Sequence, residues 1–288
     1  MPTALHHSKS LEVHVVDQCN LDCVACSHES PFMPRRLENP EALGPSLSKL
    51  WQYYRAPIIK LLGGEPLLHP NLDEIIKEVR AATDARIRIV TNGALLNRRH
   101  RMLRGIDEIH ISAYAGIDIP SDDELQQIAA SIRASITIQS FEYFRWHRSP
   151  TAHSRQTMNR VFNACQLFHN WQCHTVRNGW FFPCPPAATW GDSEDGINLL
   201  EPGDISGALH RLLDRSTPLE TCVDCLGSVG KLLPHQRGWK KMQKKLAGAA
   251  VDVDFLIALE SNADAWNECY EYDRTIYPSG RIEVHSKR

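Results

Sequence analysis

The stretch that decides the fold is Leu11-Glu-Val-His-Val-Val16 followed by Cys19-Asn-Leu-Asp-Cys23-Val-Ala-Cys26. The first part is a short apolar run, as expected for a buried β-strand. Three cysteines then follow, with three residues between the first pair and two between the second. Cysteine thiolates bind soft metals and hold Fe–S clusters. We therefore predict that the loop leaving this strand holds three irons of a 4Fe–4S cluster and leaves the fourth iron open to a non-protein ligand.

A second motif, Gly63-Gly64-Glu65-Pro66, follows the apolar run 58–62 and so also stands at the end of a predicted strand. Glycine has no Cβ, so a glycine pair allows close approach of the backbone to another group. A zinc knuckle or buried free thiols are the alternatives for the cysteines, but nothing in a zinc site requires the glycine pair.

Together the two motifs resemble the signature of the radical S-adenosylmethionine (SAM) superfamily. The resemblance implies that the open iron of the cluster held by Cys19, Cys23 and Cys26 is chelated by the amino and carboxylate groups of SAM. It further implies that the stretch 63–66 lies along SAM's methionine part. The family usually has an aromatic residue before the third cysteine, where this chain has Ala25. Stacking on adenine is therefore expected from another side chain.

Composition excludes several other classes of protein. The chain has 288 residues and a formal net charge of −2, so no strong field favours nucleic acid or an anionic membrane. It has no apolar run of membrane-spanning length, and its first residues lack the apolar core of a signal peptide. Nine cysteines in a chain without an export signal predict metal binding rather than disulfides. We expect a cytoplasmic protein that binds neither nucleic acid nor membrane.

The N-terminal half alternates strands with helices, which predicts parallel strands joined by right-handed crossovers. We therefore expect an α/β fold, a partial (β/α)6-type barrel as used by the radical SAM family, with a smaller cysteine-rich C-terminal extension. Asn92 and Ser112 follow or end two of the strands, and the resemblance places them near SAM's ribose or carboxylate. Their alternative roles are a turn residue and a strand-end hydroxyl. The predicted strands cover 11–16, 57–62, 86–91, 107–112 and 135–140.

The alternation ends near residue 145, which predicts a core over 1–155 and an extension over 156–288. The extension contains a second set of cysteines and an Asn178-Gly179 pair typical of a hairpin turn. Its spacing resembles the twitch extension, a relative of SPASM, and implies one auxiliary 4Fe–4S cluster. Cys184, Cys222 and Cys225 are the expected ligands, with either Cys165 or Cys173 as the fourth. A structural zinc site is the alternative.

The resemblance also indicates a reaction. An electron, from a donor such as flavodoxin or ferredoxin, cleaves SAM to a 5′-deoxyadenosyl radical that removes a hydrogen atom from a C–H bond. Only 18 residues precede Cys19, too few for the peptide-recognition domain of many relatives, which favours a small molecule. The chain resembles the small epimerases and dehydrogenases of aminoglycoside and carbohydrate pathways. We therefore expect epimerisation of a sugar-like, possibly cationic compound.

Two features of that reaction are assigned to residues. Cys269 is the expected thiol that returns a hydrogen atom, and the surplus member of the Cys165/Cys173 pair is its rival. Carboxylates are expected to bind a cationic substrate. The candidates are Asp118, Asp122, Asp123, Glu142, Asp192, Glu194 and Asp195.

Three other functions remain open. The chain could be a dehydrogenase of a similar substrate, in which the auxiliary cluster takes an electron from the substrate radical. It could modify a ribosomally made peptide. It could also be an Fe–S or zinc scaffold or redox sensor without enzymatic activity.

Overall fold

The computed structural model describes residues 5–246, 251–260 and 271–285. The strands are β1 His6–His7, β2 Leu11–Val16, β3 Tyr54–Arg55, β4 Ile58–Gly63, β5 Arg86–Thr91, β6 Glu108–Tyr114, β7 Ser135–Phe141, β8 Tyr143–Trp146, β9 His174–Arg177, β10 Trp180–Phe182, β11 Ile197–Asn198, β12 Lys231–Pro234, β13 Glu271–Ile276 and β14 Ile282–Val284. The α-helices are α1 Pro40–Leu50, α2 Leu72–Ala82, α3 Leu96–Arg99, α4 Asp122–Ile132, α5 Arg155–Ala164, α6 Gln166–His169, α7 Pro185–Trp190, α8 Ser206–Leu213, α9 Trp239–Leu246 and α10 Val253–Glu260. None of these helices has the length and apolar character needed to cross a bilayer.

Ten of the strands form one sheet in the order β11-β10-β9-β2-β4-β5-β6-β7-β13-β14. The six neighbours from β9 to β7 are all parallel, and the strands outside them pair antiparallel. The α/β class is therefore confirmed, with a partial, open barrel. The sixth parallel strand, β9, joins beside β2 rather than beside β7, because β13 occupies the free edge of β7.

The two faces of the parallel strands differ in character because side chains alternate along a strand. Val13, Leu61, Ile89, Ile109 and Ile136 lie in register across the sheet, and all five are completely buried. They belong to one core with the buried faces of α1, α2 and α4. The neighbouring row on the opposite face is polar. It consists of Glu12, Lys60, Arg88, Glu108 and Ser135.

Most local signals in the sequence predicted the elements well. The strand over 86–91 has the expected bounds, and Ser121 and Glu124 form both bonds of a capping box at the start of α4. Helix α1 ends at Leu50, and the segment Tyr54–Arg55 that follows it pairs with β1. The Asn178-Gly179 turn joins β9 to β10, and both residues have positive φ, 52° and 75°, as a two-residue type I′ hairpin requires.

The division at residues 155/156 stays a prediction. Strands from both sides of it share the main sheet, since β9 pairs with β2 and β13 pairs with β7. A smaller two-stranded sheet also crosses the division, because β8 pairs with β12. The extension is therefore built onto both edges of the core sheet.

A buried ion-pair network anchors the start of the cysteine loop. The Asp17 carboxylate accepts hydrogen bonds from Arg36 Nε at 3.0 Å and from an Arg177 amino group at 2.7 Å. Arg36 also binds Glu38, whose carboxylate accepts the backbone N–H of Asn178 at 2.8 Å. Burial opposes ionisation of Asp17, but the bonds and charges of the two guanidinium groups lower its pKa below the ordinary 3.8. The network joins the cysteine loop to the β9–β10 turn.

The glycine pair touches the backbone of the cysteine loop. A Cβ on Gly63, which has φ of +138°, would lie 2.2 Å from the carbonyl oxygen of Val16. A Cβ on Gly64 would lie 2.0 Å from that of Gln18. The N–H of Gly64 donates to Val16 O at 2.7 Å, and that of Glu65 donates to Gln18 O at 2.8 Å. Both glycines are therefore required for the two loops to hydrogen-bond to each other.

The Asp17→Asn variant should lower the free energy of unfolding by about 3–5 kcal/mol at pH 7, because it leaves two guanidinium groups without their buried carboxylate. Urea unfolding measures this loss. Since the folded pKa of Asp17 is lowered, its contribution is present at pH 7 and declines as the pH falls through that folded pKa, below 3.8. The difference between wild type and variant should therefore shrink at acid pH.

The matched control is Asp73→Asn, which removes an exposed ion pair with Lys77 at 4.0 Å. Its cost should stay within about 1 kcal/mol. Equal losses for the two variants would contradict an anchoring role for Asp17.

The Gly64→Ala variant should cost about 3 kcal/mol or more, because the added methyl meets a backbone carbonyl that cannot move without breaking the contact between the loops. The control is Gly207→Ala in α8, where the nearest atom is the end of the Arg211 side chain at 3.4 Å. This change should be neutral or stabilise the helix by up to about 1 kcal/mol. Thermal unfolding compares the two, and equal melting temperatures would contradict the steric argument.

Candidate functional site

A cavity of about 370 Å³ extends from the carboxyl ends of the parallel strands to the segment before β9. Its volume lies in the range of small-molecule sites. The cysteine loop, the glycine pair and the ends of β5 and β6 form one side, and residues from the extension form another. The lining residues include Cys19, Cys23, Cys26, Gly63, Gly64, Asn92, Ser112, Tyr114, Arg145, His147, Trp171, Cys173, Pro185 and Glu12.

All three cysteines of the N-terminal motif line this cavity. The Leu21 N–H lies 3.4 Å from Cys19 Sγ, and His235 Nε2 lies 3.3 Å from Cys23 Sγ. Burial, reinforced by the charge of the neighbouring Cys26, raises the pKa of both Cys19 and Cys23 to about 12. Three clustered thiols of this kind suit a bound cation, which supplies the positive charge that makes them thiolates.

The predicted SAM-contacting residues separate into two groups. Gly63, Gly64, Asn92 and Ser112 line the cavity. Glu65 is completely buried, and its carboxylate accepts hydrogen bonds from within the protein. Pro66 is also buried, at the start of a short helical turn that Glu65 caps.

Glu65 fixes the end of β5. Its carboxylate accepts the hydroxyl of Thr91 at 2.7 Å and the backbone N–H groups of Asn92 and Leu67 at 2.9 and 3.0 Å. The Asn92 side chain then donates to Asn20 Oδ1 in the cysteine loop at 2.8 Å. Glu65 therefore positions Asn92, and Asn92 links the strand end to the cysteine loop.

Aromatic side chains stand beside the cysteine loop although Ala25 contributes none. Tyr114 lines the cavity, stacks on the His235 ring at 4.7 Å and meets Phe144 edge-on at 5.1 Å. Ala25 has a φ of 57° and packs in a small apolar cluster with Trp146. Tyr114 is therefore the best-placed aromatic group for a planar ligand next to this loop.

A second group of four thiols comes together in the extension. Burial raises the pKa of Cys184 well above its ordinary value, and the charges of Cys225, Cys165 and Cys222 add to the effect. Cys222 and Cys225 likewise each feel Cys165. Since such effects require proximity, the structure brings Cys165 to this group. Cys173 also lies near Cys165, and it lines the cavity.

Backbone contacts hold the two-spaced cysteine pair. The buried Asp195 carboxylate accepts the N–H groups of Glu220 at 2.8 Å and Thr221 at 2.7 Å, just before Cys222. The N–H of Gly227 donates to Cys225 Sγ at 3.2 Å. These contacts fix the positions of both sulfurs in the loop.

The described ranges 5–246, 251–260 and 271–285 hold no three His, Cys, Asp or Glu side chains drawn tightly enough around one point for a single metal ion. Zinc would need four ligands about 2.0–2.3 Å from one centre.

Other predicted residues lie elsewhere. Cys269 falls outside the described residues. The carboxylates expected to bind a cationic substrate do not line the described cavity: Asp122 pairs with Arg274 at 2.6 Å, Asp195 has the structural role above, and the others are exposed. The cavity carboxylate is Glu12, 3.7 Å from Lys60 Nζ. The sequence could have indicated Glu12, because it is a charged residue inside the otherwise apolar strand β2. The next strand of the core, β4, likewise carries a charged residue, Lys60.

Comparison with known proteins agrees with the geometry. The model of the radical SAM superfamily matches residues 13–176. A probable GTP 3′,8-cyclase of Methanococcus aeolicus is 34% identical over 110 residues, which cover 36% of each chain. The GTP 3′,8-cyclase of Aquifex aeolicus is 32% identical over 114 residues, 37% of this chain and 35% of the relative. The chain thus aligns with about a third of the length of these relatives.

Two solved structures are similar at low identity. BtrN in complex with AdoMet and 2-DOIA is 19% identical, with 77% of this chain and 89% of that chain covered and a TM-score of 0.46. Native anSMEcpe with bound AdoMet and the Cp18Cys peptide is 11% identical, with 89% and 99% covered and a TM-score of 0.46. Because the superfamily model spans more than half of the sequence, from β2 through β9 with both motifs, the chain belongs to the radical SAM superfamily.

Proposed function

We propose that this radical SAM enzyme removes a hydrogen atom from a C–H bond of a sugar-like or aminoglycoside natural product and epimerises that carbon. One observation carries the proposal: the three thiols of the N-terminal motif, the glycine pair and a further free thiol line a single cavity. When bound to a 4Fe–4S cluster at Cys19, Cys23 and Cys26, SAM supplies a 5′-deoxyadenosyl radical.

The residues of the chain bind and orient the reactants. The backbone at Gly63 and Gly64 offers an open edge for the methionine part of SAM, and Asn92 and Ser112 offer polar groups at neighbouring strand ends. The Tyr114 ring offers a surface for adenine. The burial of these groups excludes water from the reacting centre, which protects a radical from side reactions.

An auxiliary 4Fe–4S cluster belongs to the same proposal, held by Cys165, Cys184, Cys222 and Cys225. Their mutual electrostatic contact supports this ligand set. An electron donor of the flavodoxin or ferredoxin class would serve the enzyme. The dehydrogenase is the second candidate, because this thiol group lies in the extension that also forms one wall of the cavity.

Glu12 and Lys60 provide the recognition of a small polar substrate. Burial raises the pKa of Glu12, and the nearby Lys60 partly opposes this. A carboxylate that lines the cavity beside an ammonium group suits a ligand with hydroxyl or amino groups, because the carboxylate can accept further hydrogen bonds. A cavity of this volume fits a single ring better than a polymer.

Anaerobic reconstitution tests the two cluster sites separately. The wild type should bind about eight irons, four for each cluster. The triple Cys19→Ala/Cys23→Ala/Cys26→Ala variant should keep about four irons and release no 5′-deoxyadenosine under reductant. The matched Cys222→Ala/Cys225→Ala variant should lose the other four. A wild type that binds iron but leaves SAM intact would contradict an enzymatic role and favour a scaffold.

Turnover in heavy water tests the outcome of the reaction. A panel of 2-deoxystreptamine compounds and amino sugars is incubated with enzyme, SAM and dithionite, and products are analysed by mass spectrometry. Epimerisation predicts a product with one deuterium at carbon and an unchanged oxidation level. A product lighter by two hydrogens, without solvent deuterium, would identify the dehydrogenase instead.

A further inference from the structure

We propose that Cys173 is the thiol that returns a hydrogen atom to the substrate radical, and that Glu12 positions the substrate beside it. This assignment rests on the proposed function and deepens it. It replaces the expectation that Cys269 is the donor with a residue whose place in the cavity is defined.

The first support is that Cys173 lines the cavity, although it is also near enough to Cys165 to be affected by that thiol's charge. Its N–H donates to Leu167 O at 3.2 Å, and its carbonyl accepts the Thr175 hydroxyl at 3.2 Å. These bonds fix the residue just before β9. Its side chain lines the cavity, whereas Cys165 contacts the thiols of the extension.

The second support is the position of Cys173 along the direction of the parallel strands. β9 is parallel to β2, with His174 opposite Leu11 and Val176 opposite Val13. Cys173 therefore lies near the start of β2, whereas the cysteine loop leaves the other end of that strand. The rise from Leu11 to Val16, five steps of about 3.3 Å, places the two ends of β2 roughly 16 Å apart. A small substrate between them would face the deoxyadenosyl radical on one side and the thiol on the other, as inversion requires.

The third support is the surroundings of the sulfur. Glu12 lies opposite Thr175 in the strand register and is close enough to Cys173 to act on its charge. Burial and the Glu12 carboxylate raise the pKa of Cys173 to about 12. Only the S–H form of a cysteine can give up a hydrogen atom, and this form already predominates near neutral pH at the ordinary thiol pKa of about 8.5.

The step is balanced as follows. The deoxyadenosyl radical takes a hydrogen atom from the substrate carbon and becomes 5′-deoxyadenosine. The Cys173 S–H bond breaks as a new C–H bond forms on the opposite face, which leaves a thiyl radical. One electron from the flavodoxin- or ferredoxin-class donor and one proton restore the thiol. One turnover thus consumes one SAM and two electrons.

Iron content tests the placement without turnover. After anaerobic reconstitution, Cys173→Ala should bind about eight irons as the wild type does, whereas Cys165→Ala should bind fewer because it loses a ligand of the auxiliary cluster. Iron lost from Cys173→Ala but kept by Cys165→Ala would exchange the two residues and overturn the proposal.

Hydrogen return is tested with Cys173→Ser, which keeps the size of the side chain but has an O–H bond too strong to donate. In heavy water with the compound that the wild type labels, this variant should form deoxyadenosine while deuterium in the product falls at least tenfold. Full iron content shows that the variant is folded and loaded. Cys269→Ala should label the product as the wild type does. Undiminished labelling by Cys173→Ser would overturn the assignment.

The iron measurement also separates this assignment from the proposed substrate class, because it needs no substrate. If no tested compound is labelled but Cys173→Ala keeps all its iron and Cys165→Ala does not, the substrate proposal fails and the placement of Cys173 outside the auxiliary cluster stands.

Discussion

The close backbone contact between Gly63-Gly64 and the stretch Val16–Gln18 is the constraint on which the site depends. Two parallel strands end side by side, and the loops that leave them hydrogen-bond to each other at 2.7 and 2.8 Å. Any side chain on either glycine would force the loops apart. The contact therefore places the three thiols of the cysteine loop and the open backbone of the glycines on the same wall of one cavity.

Buried charged groups near this contact link the two loops to other elements of the fold. Asp17 joins the cysteine loop to the β9–β10 turn through Arg36 and Arg177, and Glu65 joins the glycine loop to the end of β5. The hairpin that leads to Cys184 is thereby tied to the strand that leads to Cys19. Glu12, which belongs to the polar row of the sheet and lies 3.7 Å from Lys60, lines the cavity beside these anchors.

Much of this arrangement could be predicted from the sequence because its signals are local. Apolar runs marked the strands, the capping box marked α4, and two short motifs indicated the cluster and SAM. The pairing of β9 with β2 could not be predicted, because it depends on which edge of the sheet β13 covers, a contact between distant residues. For the same reason the sequence left both Cys165 and Cys173 as candidates for the fourth ligand, and the contact of Cys165 with the other three thiols now supports Cys165. The motif also could not reveal that the Glu65 carboxylate accepts three hydrogen bonds from within the protein, because its donors include Thr91 and Asn92, which are distant in sequence.

The central claim is that SAM binds directly to an iron held by Cys19, Cys23 and Cys26. The most direct measurement is the electron paramagnetic resonance spectrum of the dithionite-reduced, iron-loaded Cys222→Ala/Cys225→Ala protein, which retains only this cluster. Addition of SAM should shift the g values, because SAM becomes a ligand of the open iron. A spectrum that is unchanged by saturating SAM would contradict the account.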